Sequence, residues 1–161
     1  MQRSTDRILT THVGSLIRPD ELLTYIRPLQ AGEPYDLAAY AACLTSSVAD
    51  IVRHQAAAGL DVISDGEFGK SISWSQYALE RLSGFEQRPI SAEGNTFAQG
   101  ADRERFAAFY DELDGKQKYA TVNEAVCVGP IAYTGLAEVE RDIANFKAAL
   151  AQADVTEGFL P

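Results

Sequence analysis

An α/β fold of parallel strands joined by crossover helices is predicted by three features of the sequence. Two apolar or β-branched runs end abruptly in small and polar residues: Thr10-Thr11-His12-Val13-Gly14-Ser15 and Gly59-Leu60-Asp61-Val62-Ile63-Ser64-Asp65-Gly66-Glu67. Chains read this way when a buried strand delivers side chains and backbone amides to a ligand at its carboxyl end. The segment between them carries apolar residues at helical spacing, so strand, helix and strand succeed one another, with chemistry-capable residues at the same end of both strands. A length of 161 residues, 46% of them apolar and 23% charged, is that of a globular protein with one domain as the prior.

The first strand is predicted over 7–13, with Gly14-Ser15 turning out of it. Arg18-Pro19-Asp20-Glu21 opens a short helix, because proline and acidic residues suit a helix start, and Arg27-Pro28 is expected to stop it. After the linker Ala31-Gly32-Glu33-Pro34, Asp36 can cap a long helix. Its apolar side, Leu37, Ala41, Leu44, Val48, Ile51 and Gln55 or Ala58, keeps helical spacing. Gly59 stands where a helix ends in the left-handed conformation, and the second strand begins at 60–63.

Phe68-Gly69-Lys70-Ser71 reads as a loop, succeeded by an aromatic-rich helix over 73–82 that carries Trp74 and Tyr77 and is closed by Gly84. Residues 85–97 form a polar excursion containing Gly and Pro, a hairpin or a lid. A further helix is expected over 101–113, with Phe106, Phe109 and Tyr110 on one side. Residues 119–122 and 124–128 are short β-like runs, the second expected as the third barrel strand, ending in Gly129-Pro130. An amphipathic helix over 136–151 is marked by Leu136, Val139, Ile143, Phe146 and Leu150, and 154–160 begins a fourth strand.

About four strands with their helices make half of a (β/α)8 barrel, which takes about 250 residues. The expected architecture is the N-terminal half of a TIM barrel. It forms one incomplete domain over 1–161, with about four parallel strands and an excursion at 85–122 between strands 2 and 3. A half barrel leaves strand edges and one apolar layer open, so the missing half or self-association is expected to cover them. A complete small open α/β sheet is the alternative.

A net charge of −9 argues against nucleic acid as a partner. No run of about 18 apolar residues could span a bilayer, and the opening residues lack the apolar core of a signal peptide. Cytoplasm is the expected location. Cys43 and Cys127 show no C-x-x-C spacing and are expected to be buried thiols acting as small apolar side chains. His12 and His54 are the only histidines, which excludes a multi-histidine metal site within the chain.

Thr11-His12-Val13-Gly14-Ser15-Leu16-Ile17-Arg18-Pro19, followed by Gly59-Leu60-Asp61-Val62-Ile63-Ser64-Asp65-Gly66-Glu67-Phe68-Gly69-Lys70, resembles the cobalamin-independent methionine synthase family. The likeness is nearer to its shorter single-barrel members than to the long two-barrel synthases. Cys127-Val128-Gly129-Pro130-Ile131-Ala132-Tyr133-Thr134-Gly135 is similar to the family's segment at the end of the third strand. The resemblance runs in order over nearly the whole chain. It implies a zinc-dependent methyltransferase on a (β/α)8 barrel, passing a methyl group from a folate, a corrinoid or a similar donor to a thiol such as homocysteine. Relatives in the same superfamily act on coenzyme M thioethers or decarboxylate uroporphyrinogen; the latter reading shares the fold but draws no support from Asp-Gly-Glu.

By this resemblance, the element that holds the amino-acid part of the thiol substrate falls on Val13, Gly14 and Ser15, and the carboxylate that pairs with the substrate ammonium falls on Glu67. The chemistry agrees. Gly14 lets a substrate carboxylate approach backbone N–H groups, Ser15 adds a hydroxyl donor, and Glu67 offers the charge opposite to an ammonium. Taken without the resemblance, Gly14-Ser15 is a tight turn and Glu67 a solvated loop acid. His12 and Asp65 depart from the long synthases, which carry an apolar or hydroxyl residue and a histidine there, and Ile17 stands where the family usually has proline. His12 is a substrate-binding candidate or a histidine satisfied within the barrel. Asp65 pairs with a cation or caps its loop.

The family's zinc ligands, a His-x-Cys pair and a later cysteine, come from the second half of the barrel, and nothing in this sequence matches them. Zinc there holds the thiol as thiolate, so this chain alone is expected to hold no catalytic residue and to be inert. Two readings result. One is the substrate-anchoring N-terminal part of a methionine-synthase-like enzyme. The other is a non-catalytic, degenerate half barrel that binds a small amino acid or nothing.

Overall fold

In a computed structural model, residues 3–70, 74–89, 100–116 and 123–161 are described. The protein is mixed α/β, with helices and a few short strands, and divides into two units: Met1–Arg81 with Gly135–Pro161, and Leu82–Thr134.

The first unit is organised by α2, Leu37–Ala57. Its start is set by Asp36, whose carboxylate accepts from the N–H groups of Ala38 and Ala39, both at 3.0 Å. At its end the Gly59 N–H bonds the Ala56 carbonyl at 3.0 Å and the Leu60 N–H bonds the Gln55 carbonyl at 3.2 Å, with Gly59 at φ 82°, as the sequence predicts. The inner side of α2 buries Tyr40, Leu44, Val48 and Val52 against Leu22 and Ile26 of α1 (Asp20–Ala31) and against Phe146 and Ala149 of α6 (Leu136–Leu150). Ile63 and Phe68 complete this core; burying each such side chain is worth about 1.5–3 kcal/mol.

Arg27-Pro28 does not stop α1, which continues to Ala31 with Pro28 inside. The missing proline N–H falls near the C-terminal end, where the chain is closed by Gly32 at φ 68°. There the Gly32 N–H reaches the Leu29 carbonyl at 3.2 Å and the Glu33 N–H the Pro28 carbonyl at 2.9 Å. The glycine is the stop, because it alone takes the left-handed turn without strain.

Three chain segments run parallel. β1, Val62–Ile63, pairs with β4, Glu157–Gly158, placing Val62 opposite Glu157 and Ile63 opposite Gly158. On the other side Thr11 forms a parallel bridge with Val62. The ladder extends by hydrogen bonds from Thr156 N–H to the Asp61 carbonyl at 3.2 Å and from Phe159 N–H to the Ile63 carbonyl at 3.0 Å. The order is therefore Thr11, β1, β4, with α1 and α2 between the first two and α6 before the last.

The runs expected over 7–13, 60–63 and 154–160 are present in this order but regular only over a bridge and two residues each. The first has a clear cause. Ile8 and Val13 are 81% and 80% exposed, so no apolar layer pins a longer strand. The Thr10 N–H is also taken by the Asp61 carboxylate at 2.8 Å instead of by a neighbouring backbone. That carboxylate, bonded also by the Arg7 guanidinium, is held well below the usual carboxylate range by Arg7 first and by the Thr10 N–H second.

α6 turns Asp142, Phe146 and Ala149 inward, while Leu136, expected on its apolar side, is 59% exposed. α3 spans Trp74–Leu79 and continues as a turn through the Arg81 N–H, bonded to the Ala78 carbonyl at 3.2 Å. The expected helix start at Ser73, and Ser71 of the preceding loop, lie outside the described residues.

In the second unit β2, Phe85–Pro89, pairs antiparallel with β3, Asn123–Cys127, Phe85 facing Cys127 and Pro89 facing Asn123. The run 124–128, expected as a third parallel strand, is one arm of this ribbon, so four parallel strands are not seen among the described residues. Its base is drawn together at glycine. Gly84 has φ 85°, and a Cβ there would stand 2.6 Å from the Pro130 carbonyl oxygen and 2.7 Å from that of Gly129. Only a residue without a side chain permits this approach, and the Val128 N–H then reaches the Gly84 carbonyl at 2.8 Å.

Between the arms lie α4, Ala101–Arg105, and α5, Ala107–Lys116; the single helix expected over 101–113 is interrupted at Phe106. The excursion expected at 85–122 thus belongs to a unit that also takes in the 124–128 run. Residues 90–99 and 117–122 of that excursion, the 119–122 run among them, lie outside the described residues. Cys43 is buried as expected, whereas Cys127 is exposed on the ribbon, a correction to its expected burial. Among the described residues no helix is long and apolar enough to cross a membrane.

Candidate functional site

The corner formed by Ser15 and Glu67 is assembled by backbone before side chains meet. The Leu16 N–H donates to the Gly66 carbonyl at 3.1 Å, fastening the turn after Thr11 onto the loop after β1. Within that loop the Ser64 hydroxyl accepts from the Gly66 N–H at 3.2 Å and Asp65 Oδ1 accepts from the Glu67 N–H at 3.0 Å. The base of the loop is held by the buried Gln55 amide, which accepts from the Ser64 N–H at 3.2 Å and donates to the Ser64 carbonyl at 2.7 Å.

Arg18 Nη2 closes the loop by donating to the carbonyls of Glu67 at 2.9 Å and Lys70 at 2.6 Å. Together these bonds hold Glu67 at φ 60°, a left-handed conformation that costs a non-glycine residue about 1–3 kcal/mol. The result is a direct contact: the Ser15 hydroxyl donates to Glu67 Oε2 at 2.8 Å. Gly14, at φ 97°, has nothing within 4 Å of where a Cβ would stand, so its backbone is open to an approaching group.

Charge is concentrated here. Lys70 Nζ lies 3.6 Å from Glu67 Oε1, with the two side chains 10% and 15% exposed. Lys70 also stands over the Tyr77 ring at 5.3 Å. Burial lowers the Arg18 pKa from its ordinary value against the opposing pull of Glu67, and burial raises that of Asp65 against its bond from the Glu67 N–H. Cations and carboxylates in a partly dry place suit a small ligand that carries both signs.

The predicted residues divide accordingly. Gly14, Ser15 and Glu67 come together. Val13 is largely exposed and takes no part in the core. Asp65 is 7% exposed and caps its loop. His12 is half-buried, and its enclosed Nε2 has no hydrogen-bond partner among the described residues. Ile17 is exposed.

Two groups of residues are not evident from the sequence. Arg18 and Lys70 stand within the quoted runs without an assigned role; the one available signal is that Lys70 comes nearly one helical turn after Glu67. The other group is buried around Asp142. Its Oδ2 accepts from the Tyr77 hydroxyl at 3.2 Å and faces Arg81 Nη2 at 3.5 Å. Its Oδ1 accepts from Arg141 Nη2 at 2.8 Å and Nε at 3.1 Å. The Arg81 guanidinium stacks 3.4 Å from the Tyr77 ring centroid. The signal here is an aspartate on the same side of its helix as Val139 and Phe146.

Among the described residues no group of three or more His, Cys, Asp or Glu side chains is placed to hold a metal ion. Cys43 lies buried with its Sγ 4.0 Å from the Ser47 hydroxyl. No known protein family matches the chain, and no curated protein matches it.

Proposed function

We propose that this chain is the substrate-anchoring half of a methionine-synthase-like methyltransferase barrel acting in the cytoplasm, and that it holds the amino-acid end of a thiol such as homocysteine. The observation that carries the reading is the 2.8 Å contact between Ser15 and Glu67, two residues far apart in sequence, beside the open backbone of Gly14. In this role Glu67 takes the ligand ammonium, and the Gly14-Ser15 turn and Lys70 take its carboxylate. The parallel order Thr11, β1, β4, with helices between, supports the half-barrel architecture.

The described residues do not fit a zinc centre: no suitable cluster is present among them, and Cys43 is enclosed in the core. By the resemblance the zinc ligands come from the second half of the barrel, so anchoring is the part assigned to this chain, with the methyl donor and the thiol-activating group supplied by a complementary barrel half.

Titration of the full chain with homocysteine, monitored by calorimetry, tests the reading. Glu67→Gln is expected to weaken binding by about 1.5–3 kcal/mol, as for a hydrogen bond to a charged group. The ammonium-free analogue 4-mercaptobutanoate is expected to lose a similar amount against the wild type and nothing further against the variant. Unchanged affinity in Glu67→Gln would remove Glu67 from the site and the reading with it.

A further inference from the structure

A cavity of about 260 Å³ lies between the start of α2, the end of α3 and the first turns of α6. Neither Ser15 nor Glu67 lines it, so a role for this cavity is independent of the anchoring corner. Its walls include Tyr35, Tyr40, Arg81 and Arg141, with the exposed carboxylates of Glu80 and Glu138 also contributing.

Arg81 is the informative residue. Its side chain is 8% exposed; Nη1 donates to the Tyr77 carbonyl at 2.9 Å and Nη2 faces Asp142, but its enclosed Nε has no partner among the described residues. Arg141, 34% exposed, draws on the same carboxylate. The two guanidiniums share one aspartate, and Glu138 also pulls on Arg141, so the unmet demand is the enclosed Arg81 Nε–H; a buried N–H left unmatched is costly.

The fold makes room for this arrangement. A Cβ on Gly135 would fall 2.0 Å from Arg81 Cγ, and one on Gly69 would fall 2.9 Å from Asp142 Oδ1. Bare backbone at both positions lets the cluster form, with no acceptor for the Arg81 Nε–H among the described residues.

We propose that this cavity binds the compact oxyanion, a carboxylate or a phosphate group, of a small ligand, held by Arg81 and Arg141. Glu80 and Glu138 disfavour a polyanion and leave acceptors for a remainder that donates hydrogen bonds, while Tyr35 and Leu37 offer it apolar surface.

The test tracks arginine Nε–H resonances in the ¹⁵N-labelled full chain during addition of sodium acetate or sodium phosphate, with sodium chloride at matched ionic strength as reference. The signal absent from Arg81→Lys is expected to move saturably with at least one oxyanion; the effective one identifies carboxylate or phosphate as the ligand group. Arg141→Gln should weaken this response about tenfold. Leu37→Trp changes an exposed wall residue away from the cluster, and should abolish saturation while leaving the unfolding transition in place. An equal shift with chloride, or a wild-type response in Leu37→Trp, would overturn the proposal.

Discussion

Removing the Asp142 carboxylate should unlock the contact between α3 and α6. Asp142 is 7% exposed and receives the Tyr77 hydroxyl, Arg81 and two nitrogens of Arg141. Deleting one partner of a buried ion pair typically costs about 3–5 kcal/mol, because the other charge is left without compensation. Arg81 meets that condition, with a side chain 8% exposed, whereas Arg141, 34% exposed, can turn to water and should add little. Asp142→Asn keeps one acceptor oxygen, so the lower end, about 3 kcal/mol, is expected for it and the upper end for Asp142→Leu.

Urea unfolding of the full chain, monitored by circular dichroism with slopes compared, reads these values directly. The double variant Arg81→Met with Asp142→Leu should recover most of the loss, since apolar replacement of a whole buried pair is often neutral. A loss below about 1 kcal/mol in Asp142→Asn would place the pair in water and refute the burial argument.

Gly158→Ala should destabilise by about 1–3 kcal/mol through overpacking, because its Cβ would stand 2.8 Å from Phe146 Cζ and 2.9 Å from Leu150 Cδ1; an unshifted melting temperature would contradict the packing of β4 on α6. Asp65→Asn tests a pH dependence. Burial holds the Asp65 carboxyl above its ordinary range, so its contribution is most favourable below the unfolded value of about 3.9 and declines as pH rises through the raised folded value. The asparagine keeps the acceptor for the Glu67 N–H without the charge, so the variant should gain on the wild type between acid and neutral pH; a flat difference would count against it. Native protein treated with a thiol reagent should show Cys127 reacting at once and Cys43 only on unfolding, since Cys43 is buried and burial pushes its thiol pKa up; simultaneous reaction would show Cys43 to be accessible.

What is legible in the sequence is what a few neighbouring residues decide. Asp36, the spaced apolar groups of α2 and Gly59 specify that helix locally, and its ends fall where they are expected. At Pro28 two local rules compete, and the nearby glycine wins because a proline near a helix end leaves out only one late hydrogen bond. Pairing partners are harder. The 124–128 run has the composition of any buried strand; what selects an antiparallel partner is the close approach at Gly84, which no pattern along the chain displays. Of the site, Ser15 and Glu67 are placed together by family resemblance, and the structure joins them. Arg18 is not legible, since it acts on backbone carbonyls, and neither is Asp142, because an aspartate on a helix ordinarily faces solvent.

The acid at the corner is never bare: Lys70 sits 3.6 Å from it and the Ser15 hydroxyl 2.8 Å away. An arriving amine therefore swaps places with an internal one, and the charge tally around the corner hardly changes. Such an exchange gains little from long-range attraction, so added salt should leave capture nearly untouched. Discrimination then falls to shape, to whatever can lie flat against the bare peptide at Gly14.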